Sequence, residues 1–305
     1  MTTLSTITVQ VPATSANCGP GFDTLGLACT LYNTFEFTLL PRGWVLEVEG
    51  EGKDELKAGP ENLIFAAFDA VWRQFNPQPY GLKVKMHNVI PMSRGLGSSS
   101  SAIVGGLVAA NVLCGAKLSL ESLLALATDI EGHPDNVAPA LYGGFTISYM
   151  QGRVAHTTKL IPQLPLQFIA VVPEQPLSTA KARAALPAQV PLKDAIFNCS
   201  RTGLLVAALL TGNATHLATA LEDKLHQPYR APLIPGLAAA MDAAKKSGAY
   251  NAIISGAGST IMAYAPIEAD GALIARAMVN ALAQVGQKAS YHLLTLDNEG
   301  ARIVN

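Results

Sequence analysis

Leu82-Lys83-Val84-Lys85-Met86-His87 alternates apolar and polar residues, which is the period of a half-buried strand. Ala102 to Leu113 is apolar nearly throughout and long enough for a buried helix. Between them lies Pro91-Met92-Ser93-Arg94-Gly95-Leu96-Gly97-Ser98-Ser99-Ser100-Ser101. A strand that enters a helix through such a loop presents the helix's free N–H groups, with their partial positive charge, to whatever the loop encloses, and phosphate suits that place best. Gly95 and Gly97 allow close backbone approach, and Ser98 to Ser101 add hydroxyls. The loop is not a Walker A sequence, because no Gly-Lys-Ser/Thr follows the glycines, nor the dinucleotide fingerprint, because Ser100 stands where the third glycine belongs. A flexible turn with a serine N-cap is the plainer alternative. Four consecutive serines exceed what a cap needs and favour an anion.

The 305 residues suffice for a large core and suggest two domains. Half are hydrophobic and 14% charged, the balance of a globular chain. Lys+Arg is 21 against Asp+Glu 22, so no domain-scale basic surface is implied and nucleic acid is not an expected partner. Cys18, Cys29, Cys114 and Cys199 are scattered, which suggests neither a disulfide framework nor zinc and fits cytosolic thiols, hence a cytoplasmic protein. Met1 to Gln10 has no basic-then-apolar leader pattern, and the longest apolar run stops at Gly115-Ala116-Lys117, short of a bilayer span, so no membrane partner is expected.

In chain order, Ile7 to Pro12 reads as a strand and Pro12 to Gly26 as a loop whose recognition-capable side chains are Asn17 and Asp23, although either residue alone could serve a local turn. Leu31 to Leu40 reads as a strand with Val45 to Val48 as its partner. Pro60 reads as the first-turn residue of a helix carrying the stripe Ile64, Phe68, Val71, Trp72 and Phe75. Ser119 can cap a helix that ends at Glu131-Gly132-His133-Pro134-Asp135-Asn136. Glu131 is a plausible Mg²⁺ ligand or an exposed helix-end acid. His133 lacks partners at metal-ligand spacing and reads as structural, and Asp135 or Asn136 as a cap for the next turn. Leu141 to Ser148 reads as a strand, and Pro162-Gln163-Leu164-Pro165 as the boundary between domains 1–160 and 161–305. Beyond it come a strand at Phe168, a polar loop with Lys181 and Arg183, a helix from Leu192 to Leu210, another reaching His226, and a loop with Arg230. A helix from Pro235, two strands around Gly256-Ala257-Gly258-Ser259, a helix and a last strand finish an α+β, two-lobed chain.

Three separated motifs, in order, resemble the GHMP small-molecule kinases and within them the homoserine kinases: Val11-Pro12-Ala13-Thr14-Ser15-Ala16-Asn17 with Gly19-Pro20-Gly21-Phe22-Asp23, the loop Pro91 to Ser101, and Glu131-Gly132-His133-Pro134-Asp135-Asn136-Val137-Ala138-Pro139-Ala140 with Gly143-Gly144. Ser255-Gly256-Ala257-Gly258-Ser259 is similar to a further superfamily motif. The resemblance implies an N-terminal domain like ribosomal protein S5 domain 2 and a ferredoxin-like C-terminal domain, with the site between them. It implies ATP as phosphoryl donor, the side-chain hydroxyl of L-homoserine as acceptor, and a homodimer. It implies that Pro91 to Ser101 wraps the nucleotide phosphates, that Ser99 and Glu131 hold Mg²⁺, that Asn17, Asp23 and Asn136 bind the amino acid with Asp23 on its ammonium, and that Arg183 and Arg230 take its carboxylate. Relatives such as mevalonate kinase carry an Asp where Asn136 stands. An amide cannot accept a proton, so the expectation is transfer without a protein general base, with Asp135 as the rival base. Ser100 and Ser101 depart from the small apolar residues common in the family.

Overall fold

The computed structural model describes residues 6–76 and 78–304; the first five residues of the stretch read for a leader lie outside them. The first half contains β1 (Thr6–Ala16), β2 (Leu25–Leu40), β3 (Gly43–Gly50), α1 (Leu63–Phe75), β4 (Gly81–Asn88), α2 (Ser98–Leu113), α3 (Leu120–Glu131), α4 (Pro134–Tyr142), β5 (Phe145–Gln151) and β6 (Val154–Leu160). The second contains β7 (Leu166–Pro173), α5 (Thr179–Ala184), α6 (Leu192–Thr211), α7 (Leu217–Ala220), α8 (Gln227–Arg230), α9 (Leu237–Lys246), β8 (Asn251–Ile254), β9 (Ile261–Pro266), α10 (Gly271–Ala283), β10 (Ala289–Leu294) and β11 (Arg302–Val304).

Among the described residues the strands form two sheets. The first runs β11-β1-β2-β4-β3, with β5 pairing β2 and β6 pairing β5. β2 is long enough to serve three neighbours: Thr34 to Leu40 pairs β4, Leu25 to Leu27 pairs β5, and β1 runs along most of its length. The strand at Val45 to Val48, expected beside β2, lies instead parallel to β4, from Gly43 opposite Gly81 to Gly50 opposite Asn88. A short turn suggests a hairpin only if nothing better competes for the edge. Here β4 pairs with β2 and places β3 outside it. The second sheet has the order β10-β7-β9-β8, all antiparallel, with helices between its first two and last two strands, which is the ferredoxin-like arrangement.

Phe35 and Phe37 of β2 point from the first sheet into a core built with Ile64, Phe65 and Phe68 of α1 and Ile103, Val104 and Leu107 of α2. The glycines inside α2 mark its contacts, since a Cβ at Gly106 would stand 2.5 Å from the Ile64 carbonyl oxygen. α1 starts later than Pro60 implies: Asn62 is the cap and its side chain accepts from the Ile64 N–H at 3.2 Å. Phe75, the last member of the expected stripe, is 38% exposed. A second core joins the lobes, with Leu25, Leu27 and Phe145 from one meeting Phe168, Leu205, Met262 and Tyr264 from the other. A third lies between the second sheet and α9 and α10.

Two further expectations change. Residues 134–142 form helix α4, and the strand expected from Leu141 starts at Phe145. Pro139 lies inside this helix and removes the N–H that would have bonded the Asp135 carbonyl. The helix expected to reach His226 is the short α7, and the chain then turns through Asp223, which accepts from the N–H groups of Leu225, His226 and Gln227. No helix among the described residues is long and apolar enough to cross a membrane.

Candidate active site

The Gly/Ser loop links β4 to α2, and its backbone alternates in hand: φ is positive at Ser93 (54°), Gly95 (79°) and Gly97 (72°). Such alternation turns successive N–H groups to one side. The carbonyls are tied off on the other. Ser93 O accepts from Leu177 N at 3.1 Å, Arg94 O from Thr260 N at 3.0 Å and Leu96 O from Thr14 N at 3.0 Å, while Gly95 O accepts from the Ser255 hydroxyl at 2.6 Å. Three of these donors come from the second lobe. A Cβ on Gly95 would overlap the Ser255 carbonyl, and one on Gly97 the Thr14 hydroxyl. Gly97 is also the N-cap of α2 and supplies no side-chain acceptor, so the helix end keeps its N–H groups for a ligand.

Within the loop, Pro91, Ser93, Arg94, Gly95, Leu96, Gly97, Ser98 and Ser99 face the cleft between the lobes, and Met92 faces an adjoining cavity. The Arg94 side chain turns away and donates to the carbonyls of Met92, Pro173 and Glu174, so only its backbone is offered to the cleft. Ser100 and Ser101 are buried. The Ser101 hydroxyl donates to Ser98 O at 2.8 Å and accepts from Asn33 at 3.0 Å.

Glu131 ends α3, where Gly132 at φ 93° breaks the helix. Its carboxylate accepts from Ser99 Oγ at 2.9 Å and Ser100 Oγ at 3.1 Å. Burial pushes its pKa above the ordinary carboxylate range, against the two serine hydrogen bonds and the charge of His133. Of these groups Glu131 and Ser99 face the cleft, and a carboxylate with one hydroxyl fits Mg²⁺, which completes its shell with phosphate and water. His133 faces Asp135, Nδ1 to Oδ1 at 2.5 Å. Burial opposes its charge, but the hydrogen bond and charge of Asp135 prevail and raise its pKa.

Asp135 and Asn136 sit inside the first turn of α4 rather than capping it; the cap position is His133. Both face the cleft. Thr14, buried in β1, donates from Oγ1 to Asn136 Oδ1 at 2.8 Å. With its oxygen so engaged, Asn136 turns its NH₂ group to the cleft. Thr14 falls in the loop expected from Pro12, where a lone Thr carries no signal; the strand β1 in fact continues through it to Ala16.

The remaining expected residues converge in the same cleft, which encloses about 200 Å³. Asn17 and Asp23 both have positive φ, 68° and 56°, and Asn17 closes their loop by accepting from Asp23 N at 3.0 Å and donating to Gly256 O at 2.9 Å. Arg183 lies on α5 and forms a two-pronged ion pair with Asp23 at 2.7 and 3.0 Å. Arg230 lies on α8 and is 2% exposed. Its Nη1 donates to Gly256 O at 2.9 Å and to His226 Nδ1 at 3.3 Å. Arginine can only donate, so His226 is neutral with its hydrogen on Nε2, which donates to Gly19 O at 2.8 Å. Burial lowers the pKa of His226 and holds that state. The Phe22 ring lies 5.7 Å from the Arg183 guanidinium, 5.2 Å from that of Arg230 and 5.3 Å from the His226 ring.

Beside the phosphate loop lies a cavity of about 450 Å³ that the sequence reading did not foresee. Leu56, Leu63, Met86, Met92 and Ala102 form its apolar walls, Asn62 and Asn88 its polar points, and it shares Ser93, Ser98 and Ser99 with the first cleft. The loop is thus a wall between two connected chambers. Residues from three separate stretches line the larger one, and no local pattern marks them.

Comparison with known proteins places the chain in a family. Residues 62–144 match the GHMP kinases N terminal domain and residues 205–284 the GHMP kinases C terminal domain. The chain is 43% identical to homoserine kinase of Microchaete diplosiphon, covering 100% of this chain and 99% of that one. It is likewise 43% identical to homoserine kinase of Nostoc punctiforme over 99% of each. The crystal structure of homoserine kinase from Cytophaga hutchinsonii superposes with a TM-score of 0.89 at 27% identity, covering 100% of this chain and 99% of the other. The nest of amides, the serine–glutamate corner and the paired arginines therefore sit in a chain that belongs to the homoserine kinase family of the GHMP kinases.

Proposed function

We propose that the chain transfers the γ-phosphoryl group of ATP to the side-chain hydroxyl of L-homoserine. The observation that carries this is the convergence, in one cleft, of a phosphate nest with Asp23, Arg183 and Arg230, one anion and two cations suited to a zwitterion. The larger chamber suits the base and ribose of the nucleotide, placing its phosphates on the loop. The Cα-linked charges of the acceptor go to the second-lobe arginines and Asp23. Its hydroxyl then lies toward Asn136 and the loop.

Ser99 and Glu131 would hold Mg²⁺, which neutralises charge between the β- and γ-phosphates when bound. The chain's own residues position. The phosphate nest and the α2 N-terminus stabilise charge on the transferring group, and the Asn136 amide, aimed by Thr14, donates to the acceptor or the phosphoryl group. The bond formed joins the homoserine side-chain oxygen to phosphorus; the bond broken is that to the β–γ bridging oxygen, and ADP leaves. The hydroxyl proton passes to a phosphate oxygen. Asp135 is 2% exposed and already occupied by His133, which supports a route without a protein base. Alignment can lower the barrier by about 7–11 kcal/mol. An ADP-release assay with L-homoserine, L-serine, L-threonine and mevalonate tests the function, and turnover of mevalonate alone overturns it. Asp135→Asn in single-turnover assays tests the route: a loss of several orders of magnitude with the fold intact makes Asp135 the base.

The same proposal includes a homodimer, supported by Tyr291 and Leu293 exposed on edge strand β10 and tested by sedimentation. It includes domains 1–160 and 161–305, supported by the break between the sheets at 160–166, with β11 crossing back. Limited proteolysis tests that division.

A further inference from the structure

The two cations that face the amino-acid chamber are held in opposite ways. Arg230 is fully seated: Gly256 O and neutral His226 hold its guanidinium, Phe22 lies across it, and no carboxylate among the described residues forms an ion pair with it. Its charge is therefore left for a ligand. Arg183 is satisfied already. Both its terminal nitrogens donate to the two Asp23 oxygens, at 3.0 and 2.7 Å, and each side chain is 37% exposed. That two-pronged geometry is the strongest form an arginine–carboxylate pair takes. It also engages both Asp23 oxygens, so an ammonium can reach only their remaining lone pairs, beside a guanidinium that repels it.

We propose that the Asp23–Arg183 ion pair is an internal competitor for the acceptor and must exchange partners when the acceptor binds. The carboxylate of the zwitterion docks first on Arg230, whose position does not change. It then offers Arg183 a replacement anion while the ammonium offers Asp23 a replacement cation. The Asp23–Arg183 pair is lost and, besides the contact with Arg230, two are formed, so an acceptor bearing both charges exchanges without a net loss. A molecule with the ammonium alone frees Asp23 only by stranding Arg183 beside Arg230. A molecule with the carboxylate alone strands Asp23. The pair thus selects for the α-amino-acid pattern, beyond the attraction each charge supplies separately. This rests on the acceptor being an amino acid, as proposed above.

Two truncated alcohols separate exchange from simple attraction. 3-Amino-1-propanol keeps the ammonium and the hydroxyl, and 4-hydroxybutanoate keeps the carboxylate and the hydroxyl. Their inhibition constants against L-homoserine are measured on the native chain, on Arg183→Gln and on Asp23→Asn, with MgATP present. If the ion pair competes, deleting one partner frees the other. 3-Amino-1-propanol then binds Arg183→Gln about three- to tenfold more tightly than the native chain, and 4-hydroxybutanoate gains similarly on Asp23→Asn, the range expected for a partly exposed ion pair. Homoserine itself weakens on both variants, with the KM for ATP unchanged. If both truncated alcohols bind the variants equally or more weakly than the native chain, the exchange is wrong and the charges act independently. The first assay separates the two readings: a native chain that does not turn over homoserine sinks the functional proposal, whereas native turnover without either gain sinks only the exchange. Melting temperatures of both variants within a few degrees of native show that the changes are local, and gained affinity itself requires a folded pocket.

Discussion

The phosphate loop and the amino-acid chamber stand a few residues apart and solve opposite problems. In the loop, the backbone carbonyls from Ser93 to Leu96 are anchored to groups outside it, and its amides face inward without a partner among the described residues. It is prepared before any ligand arrives. In the chamber, Asp23 and Arg183 answer each other, and only Arg230 stands prepared. If the loop takes the triphosphate, as proposed above, a fixed frame suits it, because every nucleotide presents the same phosphates. The acceptor must be chosen among many small polar molecules, and a chamber that is partly self-satisfied rejects those that cannot repair what they disturb.

The sharpest way to break this contrast is to disturb the frame. Gly97→Ala forces a Cβ into the Thr14 hydroxyl from a left-handed backbone. The expected loss in kcat/KM for ATP is on the order of 10²–10³, the scale of losing an oriented donor at a developing charge. A loss below tenfold in the ADP-release assay shows that the loop yields and is not a fixed frame. Glu131→Gln should follow, with a drop of about 10- to 100-fold, the scale of losing a group that positions a metal, and with a raised Mg²⁺ requirement. The sign of its pH dependence follows from burial: in its proposed role as Mg²⁺ ligand Glu131 has to be ionised, and its pKa lies above the usual range. Activity should therefore fail on the acid side earlier than an ordinary glutamate would dictate. Raising Mg²⁺ should move that limb to lower pH, since metal and proton compete. A pH profile of Glu131→Gln that keeps the same limb assigns it to another group.

On the acceptor side, Arg230→Lys keeps a charge but loses the fork, and should raise the KM for homoserine about tenfold or more, with the KM for ATP unchanged. A change in both constants would mean the chambers are one unit. A smaller effect is expected at Thr14, where the two regions meet: its N–H holds the loop through Leu96 and its hydroxyl aims Asn136. Thr14→Val leaves the Asn136 oxygen unpaired and should lower kcat by about tenfold, with Thr14→Ser restoring it. The least consequence attends the thiols. Cys199 is exposed and should react first with a thiol reagent without loss of activity. Cys18 is buried, its pKa pushed up to about 12, and should be protected until unfolding, as mass mapping of labelled sites would show.

The prepared region was also the readable one. The strand, the glycines and the serine run announce themselves locally, because a phosphate nest is built from consecutive backbone, whereas Glu131 alone read equally well as an exposed helix-end acid. Asn17, Asp23, Asn136, Arg183 and Arg230 carried little signal singly; the family resemblance selected them, and the structure brings them to one cleft. What stayed hidden depends on distant partners. Arg230 sat in what looked like a solvated loop, yet Phe22, His226 and Gly256 bury it from three parts of the chain. Helix α4 was masked by two prolines, although one is at its start, where proline is favoured. The partner of β3 was misread because competition for a sheet edge is decided by the whole sheet.

β11 places Ile303 opposite Val9, and Asp297, held by Tyr32 and Arg302, secures the turn that leads there. β1 therefore keeps one flank open until β11, about 300 positions further along, has been made. β1 also bears Thr14 and leads into the Asn17 turn, so the strand that carries these groups gains its second neighbour late, at Thr8 to Gln10. A nascent chain halted before Asp297 would hold its helices and nucleotide loop beside an unguarded sheet edge, open to unwanted pairing with its neighbours on the same message.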